Sequence, residues 1–280
     1  MWALYGDNWA MDMSETTLQD APTNGSEPNA RVFGGYFINK NSIYKIWSDV
    51  FIKYYADASS TGSEDDACTG TIVAPSTVLS TARCLSNEGL VTDRLDLEST
   101  GADGVLYTKK ITSTLIHPNY DSSTYANNIA LGYVDTPFDV SSTGPFDALP
   151  LPPVRSAGKD ALNGQFLTVC GHMNPYTTSG FYYISQPTCN VFIPEPDAYC
   201  IAESVPVRSN EICARSSDQS KISVCYYDYG AALYYHDALG STFYLWAVAS
   251  YTVNDVCAGG PTAYVVIQDA EYDFVNDNLQ

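Results

Sequence analysis

Short apolar stretches, separated by clusters of Gly, Pro, Asn and Asp, run through most of this 280-residue chain. In TIVAPSTVLST and FYLWAVASYTV, apolar and small polar residues follow one another over a few positions before a turn signal appears. This texture is typical of strands, whose side chains alternate between two faces. Before the C-terminus no amphipathic helical pattern of useful length is found. The pattern predicts an all-β chain built as a sandwich or a barrel.

Composition divides the chain into four segments. Residues 1–31 are polar and acidic, and they hold the only N-glycosylation sequon, at Asn24. The proline-rich stretch DALPLPPVRS, residues 147–156, separates two β-rich regions of similar size, residues 32–146 and 157–280. We therefore predict two β units joined by a linker that lies across the surface.

The one helical pattern that the sequence shows lies at the C-terminus. Within QDAEYDFVNDNLQ, Ala270, Phe274 and Val275 recur at helical spacing. Asp269 stands directly before them, where a carboxylate can accept hydrogen bonds from the first free N–H groups of a helix. The sequence predicts a short C-terminal helix capped by Asp269.

The charge of the chain is strongly negative. With 13 basic and 32 acidic residues, the formal net charge at pH 7 is −19. Nucleic acid and anionic membrane surfaces are therefore excluded as natural partners. In addition, no apolar run approaches the length of a membrane span. The acidity fits either a cationic partner or simple solubility outside the cell, and we favour solubility.

The cysteines indicate an oxidising compartment. There are eight, an even number, and all lie between Cys68 and Cys257. In a chain of many short strands this predicts disulfides and a secreted protein. A zinc site would need several closely spaced Cys or His ligands, and the sequence has no Cys-x-x-Cys pair, so no metal or other cofactor is expected. The opening residues, MWALYGDNWAMDM, lack the continuous apolar core of a signal peptide.

Six motifs, in the correct order, resemble those of trypsin-like serine proteases. They are ARVFGGY (activation site), CTGTIVAPSTVLSTARC (first disulfide loop), LIHPNYD with NNIALGYV (aspartate segment), CIAESVPVRSNEICA (second disulfide loop), CYYDYGAAL (nucleophile loop) and AVASYTVNDVCAGGPTAYVVI (pocket strands). The resemblance covers residues 32–280. It implies an all-β fold of two six-stranded antiparallel Greek-key barrels with a short C-terminal helix.

The resemblance also implies a site without its catalytic groups. It places Arg83 at the position of the general base, Asn128 at that of the orienting carboxylate and Tyr229 at that of the nucleophile. Arginine does not release its proton in a protein, asparagine carries no negative charge, and tyrosine is a bulky phenol of high pKa. The three histidines, which fall elsewhere by the resemblance, are His117, His172 and His236.

The substrate pocket is altered too. By the resemblance, its residues are Ser223, Ser250, Tyr251, Thr252 and Thr262. Ser223 at the floor offers no charge to a basic substrate side chain. Thr252 and Thr262 stand where glycines are common, which predicts a shallow or closed pocket. Tyr227 replaces the glycine that eases the turn of the oxyanion hole.

Structural features of the family are retained. The resemblance implies three disulfides, Cys68–Cys84, Cys200–Cys213 and Cys225–Cys257. Cys170 and Cys189 remain; they flank a predicted hairpin, and a bond between them fits that geometry. Cleavage between Arg31 and Val32 would free an α-amino group that, by the resemblance, Asp228 accepts.

These features favour a non-catalytic homologue that acts as a secreted binding, inhibitor or cofactor protein, with the inhibitors of plant glucanases as one comparable group. Tyrosine is abundant, with 22 residues, and suits interfaces. Those on or near the former active-site loops are Tyr226, Tyr227, Tyr229, Tyr234, Tyr235, Tyr244 and Tyr251. They either bind a partner protein or fill the vacated cleft; core packing is favoured for Tyr234 and Tyr244. Two alternatives stay open: a structural coat or matrix protein, and an enzyme with displaced catalytic groups.

Overall fold

The computed structural model describes residues 36–37, 47–55, 66–86, 94–156, 158–162, 164–173, 183–217, 224, 228–236, 243–252 and 260–280. The strands are β1 (Tyr36–Phe37), β2 (Asp49–Tyr55), β3 (Asp66–Ala74), β4 (Thr77–Ser80), β5 (Arg94–Thr100), β6 (Leu106–Ile116), β7 (Ala130–Val134), β8 (Leu167–Met173), β9 (Tyr183–Glu195), β10 (Glu211–Ser216), β11 (Ala232–His236), β12 (Phe243–Thr252) and β13 (Thr262–Val266). The helices are α1 (Ala82–Ser86), α2 (Asp197–Ala202) and α3 (Asp269–Asn276), with a 3-10 turn at Lys159–Leu162.

The strands form two closed antiparallel barrels of six strands each. The first has the order β2-β3-β4-β7-β6-β5. The second has the order β9-β10-β13-β12-β11-β8 and closes through the pairing of β8 with β9. The short strand β1 precedes the first barrel in sequence but pairs with β9 of the second. The prediction of an all-β fold with two six-stranded barrels is confirmed.

The two barrels share a buried apolar cluster between them. It includes Trp47, Leu79, Ile129 and Leu131 from the first barrel and its flanks, and Tyr234, Leu245, Val248 and Val265 from the second. The segment 147–156 hydrogen-bonds to both sides: the Leu149 N–H donates to the Ile72 carbonyl at 2.9 Å, and the Leu245 N–H donates to the Pro150 carbonyl at 3.0 Å. Loops carried by either barrel are therefore held in a fixed relation along this shared face.

A buried carboxyl group lies within the same face. Asp49 of β2 is 1% exposed and accepts a hydrogen bond from the hydroxyl of Tyr234 in β11, so the contact crosses from one barrel to the other. Its Oδ2 has no hydrogen-bond partner among the residues that the structure describes. The pKa of Asp49 is raised to about 8, mainly by burial; the Tyr234 hydrogen bond opposes this rise, and the negative charge of Asp228 adds to it.

The C-terminal helix is confirmed as α3, but the predicted cap is wrong. The helix begins at Asp269, whose φ of 46° is not helical, and no side chain caps its first turn. The carboxylate of Asp269 instead accepts hydrogen bonds from Ser156 Oγ and, at 3.5 Å, from Arg155 Nη1. The Asp269 carboxylate therefore bonds to Arg155 and Ser156 of the segment 147–156 and does not cap the helix.

Three disulfides are present in the described part of the chain: Cys68–Cys84, Cys170–Cys189 and Cys200–Cys213. The first ties β3 to α1, and the third ties α2 to β10. The second joins the paired strands β8 and β9, as the predicted hairpin required. Cys225 and Cys257 lie outside the described residues, so their pairing stays a prediction. Across the described ranges, no helix is both long and apolar enough for a membrane crossing.

Candidate functional site

Three elements bring Arg83, Asn128 and Tyr229 together at the junction of the barrels. Arg83 lies in α1, Asn128 lies two residues before β7, and Tyr229 occupies the tight turn that leads into β11. The backbone N–H of Arg83 donates to Asn128 Oδ1 at 2.9 Å. The guanidinium carbon of Arg83 stands 5.0 Å from the centre of the Tyr229 ring. Residues far apart in sequence thus form one contact group.

Asn128 uses both ends of its amide. It is fully buried, and while Oδ1 accepts from Arg83, Nδ2 donates to the Ser250 carbonyl at 3.3 Å and to Ser250 Oγ at 3.2 Å. A carboxylate can only accept hydrogen bonds, so it would lose the contact with the Ser250 carbonyl and could keep the contact with Ser250 Oγ only if the hydroxyl proton turned toward it. The surroundings of position 128 are therefore arranged for an amide.

Glu211 continues this chain of hydrogen bonds. Ser250 Oγ donates to Glu211 Oε1 at 3.1 Å, and Arg208 binds the same carboxylate through Nη1, at 3.0 Å from each oxygen, and through its backbone N–H at 2.9 Å. Glu211 is fully buried. Burial raises its pKa, whereas the hydrogen bonds and charge of Arg208 oppose that rise. The site therefore contains a paired buried carboxylate two hydrogen bonds away from Asn128.

The guanidinium of Arg83 contacts two aromatic rings. Its carbon stands 5.0 Å from the centre of the Tyr229 ring and 5.4 Å from the centre of the Tyr125 ring. Tyr125 in turn packs on Tyr251, with ring centres 6.0 Å apart. Each cation–π contact of this kind contributes on the order of 0.5–2 kcal/mol. We call the half-buried pair Tyr125 and Tyr251 the aromatic cap, because Tyr125 contacts Arg83 and Tyr251 packs on Tyr125.

The loop that carries Tyr125 has an unusual backbone. Tyr125 and Asn127 have φ values of 57° and 52°, in the left-handed region that non-glycine residues seldom adopt. Asn127 is held there by its Nδ2 bond to the Asn119 carbonyl at 2.7 Å and by Asn210 Nδ2, which donates to Asn127 Oδ1 at 3.1 Å. This backbone presents Tyr125 to Arg83 and Asn128 to Ser250.

Tyr229 is part of the core of the first barrel. It is 8% exposed and packs among Cys68, Cys84 and their neighbours in that core. Its carbonyl accepts a hydrogen bond from the Thr69 N–H at 2.9 Å. The ring therefore cannot present itself to a partner protein. Tyr234, at 1% exposure, is also buried, which confirms the core packing predicted for it, whereas Tyr244 is half-buried.

Asp228, just before Tyr229, is 1% exposed. It lies so close to β8 that a Cβ added to Gly171 would stand 2.1 Å from Asp228 Oδ1. The glycine is required by this close approach. The predicted source of an α-amino group for Asp228, Val32 after cleavage at Arg31, lies outside the described residues, as do Asn24 and Ser223, and those predictions stay open.

The described pocket residues line adjacent strands. Thr252 in β12 is opposite Thr262 in β13, and both are buried. Thr252 Oγ1 donates to the Pro261 carbonyl at 3.4 Å. Tyr251 is half-buried and belongs to the aromatic cap, whereas Ser250 is engaged by Asn128 and Glu211. The side chains of Ser250 and Tyr251 are thus both engaged in contacts within the chain.

Of the three histidines, the structure describes the side chain of His117. It is buried, its Nδ1 accepts from the Asn119 N–H at 3.3 Å, and its ring packs edge-to-face on Phe274 of α3, with ring centres 5.0 Å apart. Burial lowers the pKa of His117, opposed by the charge of Glu271. His117 therefore supports the docking of the C-terminal helix.

Sequence reasoning missed Glu211 and Tyr125. Both stand in quoted motifs or beside them, but their contacts come from other elements: Glu211 meets β12, and Tyr125 meets α1. Within the described ranges, no group of three or more His, Cys, Asp or Glu side chains has the arrangement of a metal site.

Comparison with known proteins supports the resemblance. A family model named Trypsin matches residues 52–272. Trypsin zeta of Drosophila erecta is 26% identical over 210 residues, which is 73% of this chain and 64% of that protein, so the match spans less than two thirds of the relative's length.

Two solved structures share the fold. The scabies mite inactivated protease paralogue S-D1 superposes with a TM-score of 0.64 at 16% identity, covering 89% of this chain and 99% of that one. A structure named HL collagenase gives 0.62 at 17% identity, covering 88% and 97%. One name denotes an inactivated protease and the other a collagenase. The fold alone therefore does not decide activity, and the side chains at the site must do so.

Proposed function

Because the chain belongs to the trypsin family of serine proteases, we propose that it is a non-catalytic member that acts as a secreted binding, inhibitor or cofactor protein. The observation that carries the proposal is that Arg83 contacts both Asn128 and Tyr229. Hydrolysis in this family needs a hydroxyl nucleophile, a base that takes its proton and a carboxylate that orients the base. Arginine, asparagine and tyrosine supply none of these roles.

The surroundings support the same proposal. The Tyr229 ring is buried in the first barrel, and the Arg83 guanidinium contacts the aromatic cap. Asn128 donates a hydrogen bond to Ser250, and Ser250 donates one to the buried carboxylate of Glu211. The residues around the replaced positions contact one another as a packed, hydrogen-bonded group. Such packing is what a retained binding scaffold requires.

The aromatic cap is our candidate for the binding surface. Tyr125 and Tyr251 are half-buried, so their outer edges remain available to a partner while their inner faces rest on the protein. Tyrosine held in this way offers a large contact area at a small cost in side-chain entropy. The three disulfides are consistent with work outside the cell.

We expect the purified protein to leave peptide and ester substrates uncleaved. Loss of a complete triad lowers the rate by about a millionfold. The measurement is turnover of a broad protease substrate and an activated ester, together with labelling by a serine-directed fluorophosphonate. An active trypsin serves as the positive control and heat-treated protein as the blank. Turnover above the blank that the fluorophosphonate abolishes would contradict the proposal.

We expect partner capture to depend on the aromatic cap. Wild-type protein and the Tyr125→Ala and Tyr251→Ala variants are immobilised and exposed to secreted material from the natural surroundings of the protein. A partner retained by the wild type and reduced about tenfold or more by either variant would support the cap, because a central aromatic contact contributes about 2 kcal/mol or more. Phe166→Ala is the matched control, since Phe166 is 70% exposed and lies away from the cap in sequence. Equal loss with Phe166→Ala would contradict a specific role for the cap.

A further inference from the structure

Position 128 and position 211 are connected through one hydroxyl group. Asn128 Nδ2 stands 3.2 Å from Ser250 Oγ, which in turn stands 3.1 Å from Glu211 Oε1. All three side chains are at most 1% exposed, so they are shielded from bulk solvent. A serine hydroxyl has one proton to donate and can serve one carboxylate at a time.

The charge of Glu211 sets the direction of the hydrogen bonds in this chain of contacts. Glu211 accepts three contacts from Arg208 and one from Ser250, so the hydroxyl proton of Ser250 points to Glu211. Ser250 Oγ then has only lone pairs left for position 128. The neighbouring Ser250 carbonyl, 3.3 Å from Asn128 Nδ2, is also an acceptor. Position 128 must therefore donate on this side, which an amide does and a carboxylate cannot.

From this arrangement we infer that Glu211 is the carboxylate served by the Ser250 hydroxyl, and that its hold on the Ser250 proton requires position 128 to be uncharged. The inference deepens the proposed function and rests on it for the meaning of position 128. Glu211 is a positioning residue that acts through Ser250. An aspartate at 128 would face the Ser250 carbonyl, compete with Glu211 for one proton and place a second negative charge in the same buried space.

The prediction is a strong coupling between the two positions. Asn128→Asp alone is expected to lower the Tm by about 5–10 °C, and Glu211→Gln alone lowers it because Arg208 loses its charged partner. In Glu211→Gln, the new amide can donate to Ser250 Oγ, which frees the hydroxyl proton for Asp at 128. Adding Asn128→Asp to Glu211→Gln should therefore lower the Tm by about half as much as it does alone, or less, and the remaining loss comes from the aspartate facing the Ser250 carbonyl.

Two controls separate this coupling from a general effect of charge. Glu271→Gln neutralises another buried glutamate, which reaches Asn127 through Asn210 but does not contact Ser250 in the described hydrogen bonds. Its effect should add to that of Asn128→Asp. Ser250→Ala removes the shared proton, and in that background the coupling between positions 128 and 211 should fall by at least half.

The readouts are thermal unfolding of all variants and, where Asn128→Asp does not fold, the recovery of folded protein in the double variant. Recovery of folded Asn128→Asp/Glu211→Gln from an unfolded Asn128→Asp supports the inference. Additive effects, or an Asn128→Asp variant as stable as the wild type, overturn it. Both outcomes are independent of hydrolysis assays: additive stability in an inactive protein removes this inference alone, whereas activity of the wild type removes the proposed function.

Discussion

Asp49→Asn is expected to stabilise the protein strongly at pH 8.5 and much less at pH 5. Asp49 is buried at the face between the barrels, and Tyr234 provides its hydrogen bond from β11. Near pH 5 the buried carboxyl group is protonated, and asparagine has nearly the same size and polarity. At alkaline pH the wild-type carboxylate must be charged in a buried place near Asp228, whereas asparagine stays neutral.

The sign and size follow from the pKa in each state. The pKa of Asp49 is about 8 in the folded protein against an ordinary value of 3.8, so the folded state holds this proton more tightly than the unfolded state does. The group's favourable contribution is thus complete below about pH 4 and is lost as the pH rises to 8 and beyond. Between pH 5 and 8.5, the corresponding difference between wild type and Asp49→Asn is on the order of 3–4 kcal/mol.

The measurement is the free energy of unfolding by urea for both proteins at pH 5 and pH 8.5, at constant ionic strength. Tyr234→Phe is the matched control, since it removes the hydroxyl at the same contact but keeps the carboxyl group. The Tyr234 hydrogen bond lowers the pKa of Asp49, so this variant should be less stable at both pH values and keep the pH dependence. Parallel pH profiles of wild type and Asp49→Asn would show that Asp49 titrates as an ordinary carboxyl group.

The sequence predicted the parts of the molecule that depend on local patterns. Alternation over a few residues indicated strands. The resemblance implied the two barrels and the bonds Cys68–Cys84 and Cys200–Cys213, and the predicted hairpin placed Cys170 beside Cys189. The helix α3 followed from the helical spacing of its apolar residues. Its cap did not, because the partner of Asp269 comes from Arg155 and Ser156, more than a hundred residues away.

The internal contacts of the candidate site could not be predicted in this way. The motifs located Arg83, Asn128 and Tyr229, but nothing in them indicates that Glu211 stands behind Ser250 or that Tyr125 contacts Arg83. Those contacts depend on the register of β10 against β13 and of β13 against β12, and on two left-handed residues in one loop. The burial of Tyr229 could not be predicted either. A tyrosine at this position is compatible with an exposed contact residue or with a buried ring, and the packing of the first barrel decides for the buried ring.

Gly230→Ala is expected to destabilise the protein strongly. Gly230 has a φ of 87°, and a Cβ there would stand 2.2 Å from Ser80 Oγ and 2.2 Å from the Thr69 carbonyl oxygen. The carbonyl belongs to β3 and cannot move without breaking the hydrogen bond by which Ser80 Oγ donates to it at 2.7 Å. Backbone strain of about 1 kcal/mol and overpacking of about 1–3 kcal/mol add up to a loss of about 2–4 kcal/mol.

The effect reaches both barrels because the turn at Gly230 is bonded to each. The Tyr229 carbonyl accepts from the Thr69 N–H of β3 at 2.9 Å, and the Gly230 N–H donates to the Ala249 carbonyl of β12 at 2.9 Å. A shift that relieves the clash with β3 therefore strains the contact with β12. We expect the free energy of unfolding by urea to fall and the Arg83–Tyr229 contact to loosen, which raises the exposure of Tyr229 to chemical nitration.

Gly104→Ala separates the two causes. Gly104 has a φ of 78°, close to that of Gly230, but a Cβ there would meet no atom within 4 Å. Gly104→Ala should lower the free energy of unfolding only by the cost of backbone strain, about 1 kcal/mol. Ser80→Ala combined with Gly230→Ala removes one of the two obstructing atoms and should recover only part of the loss, since the Thr69 carbonyl remains. If Gly230→Ala cost no more than Gly104→Ala, the turn would be free to move away from β3, and the packed state of Tyr229 would not depend on it.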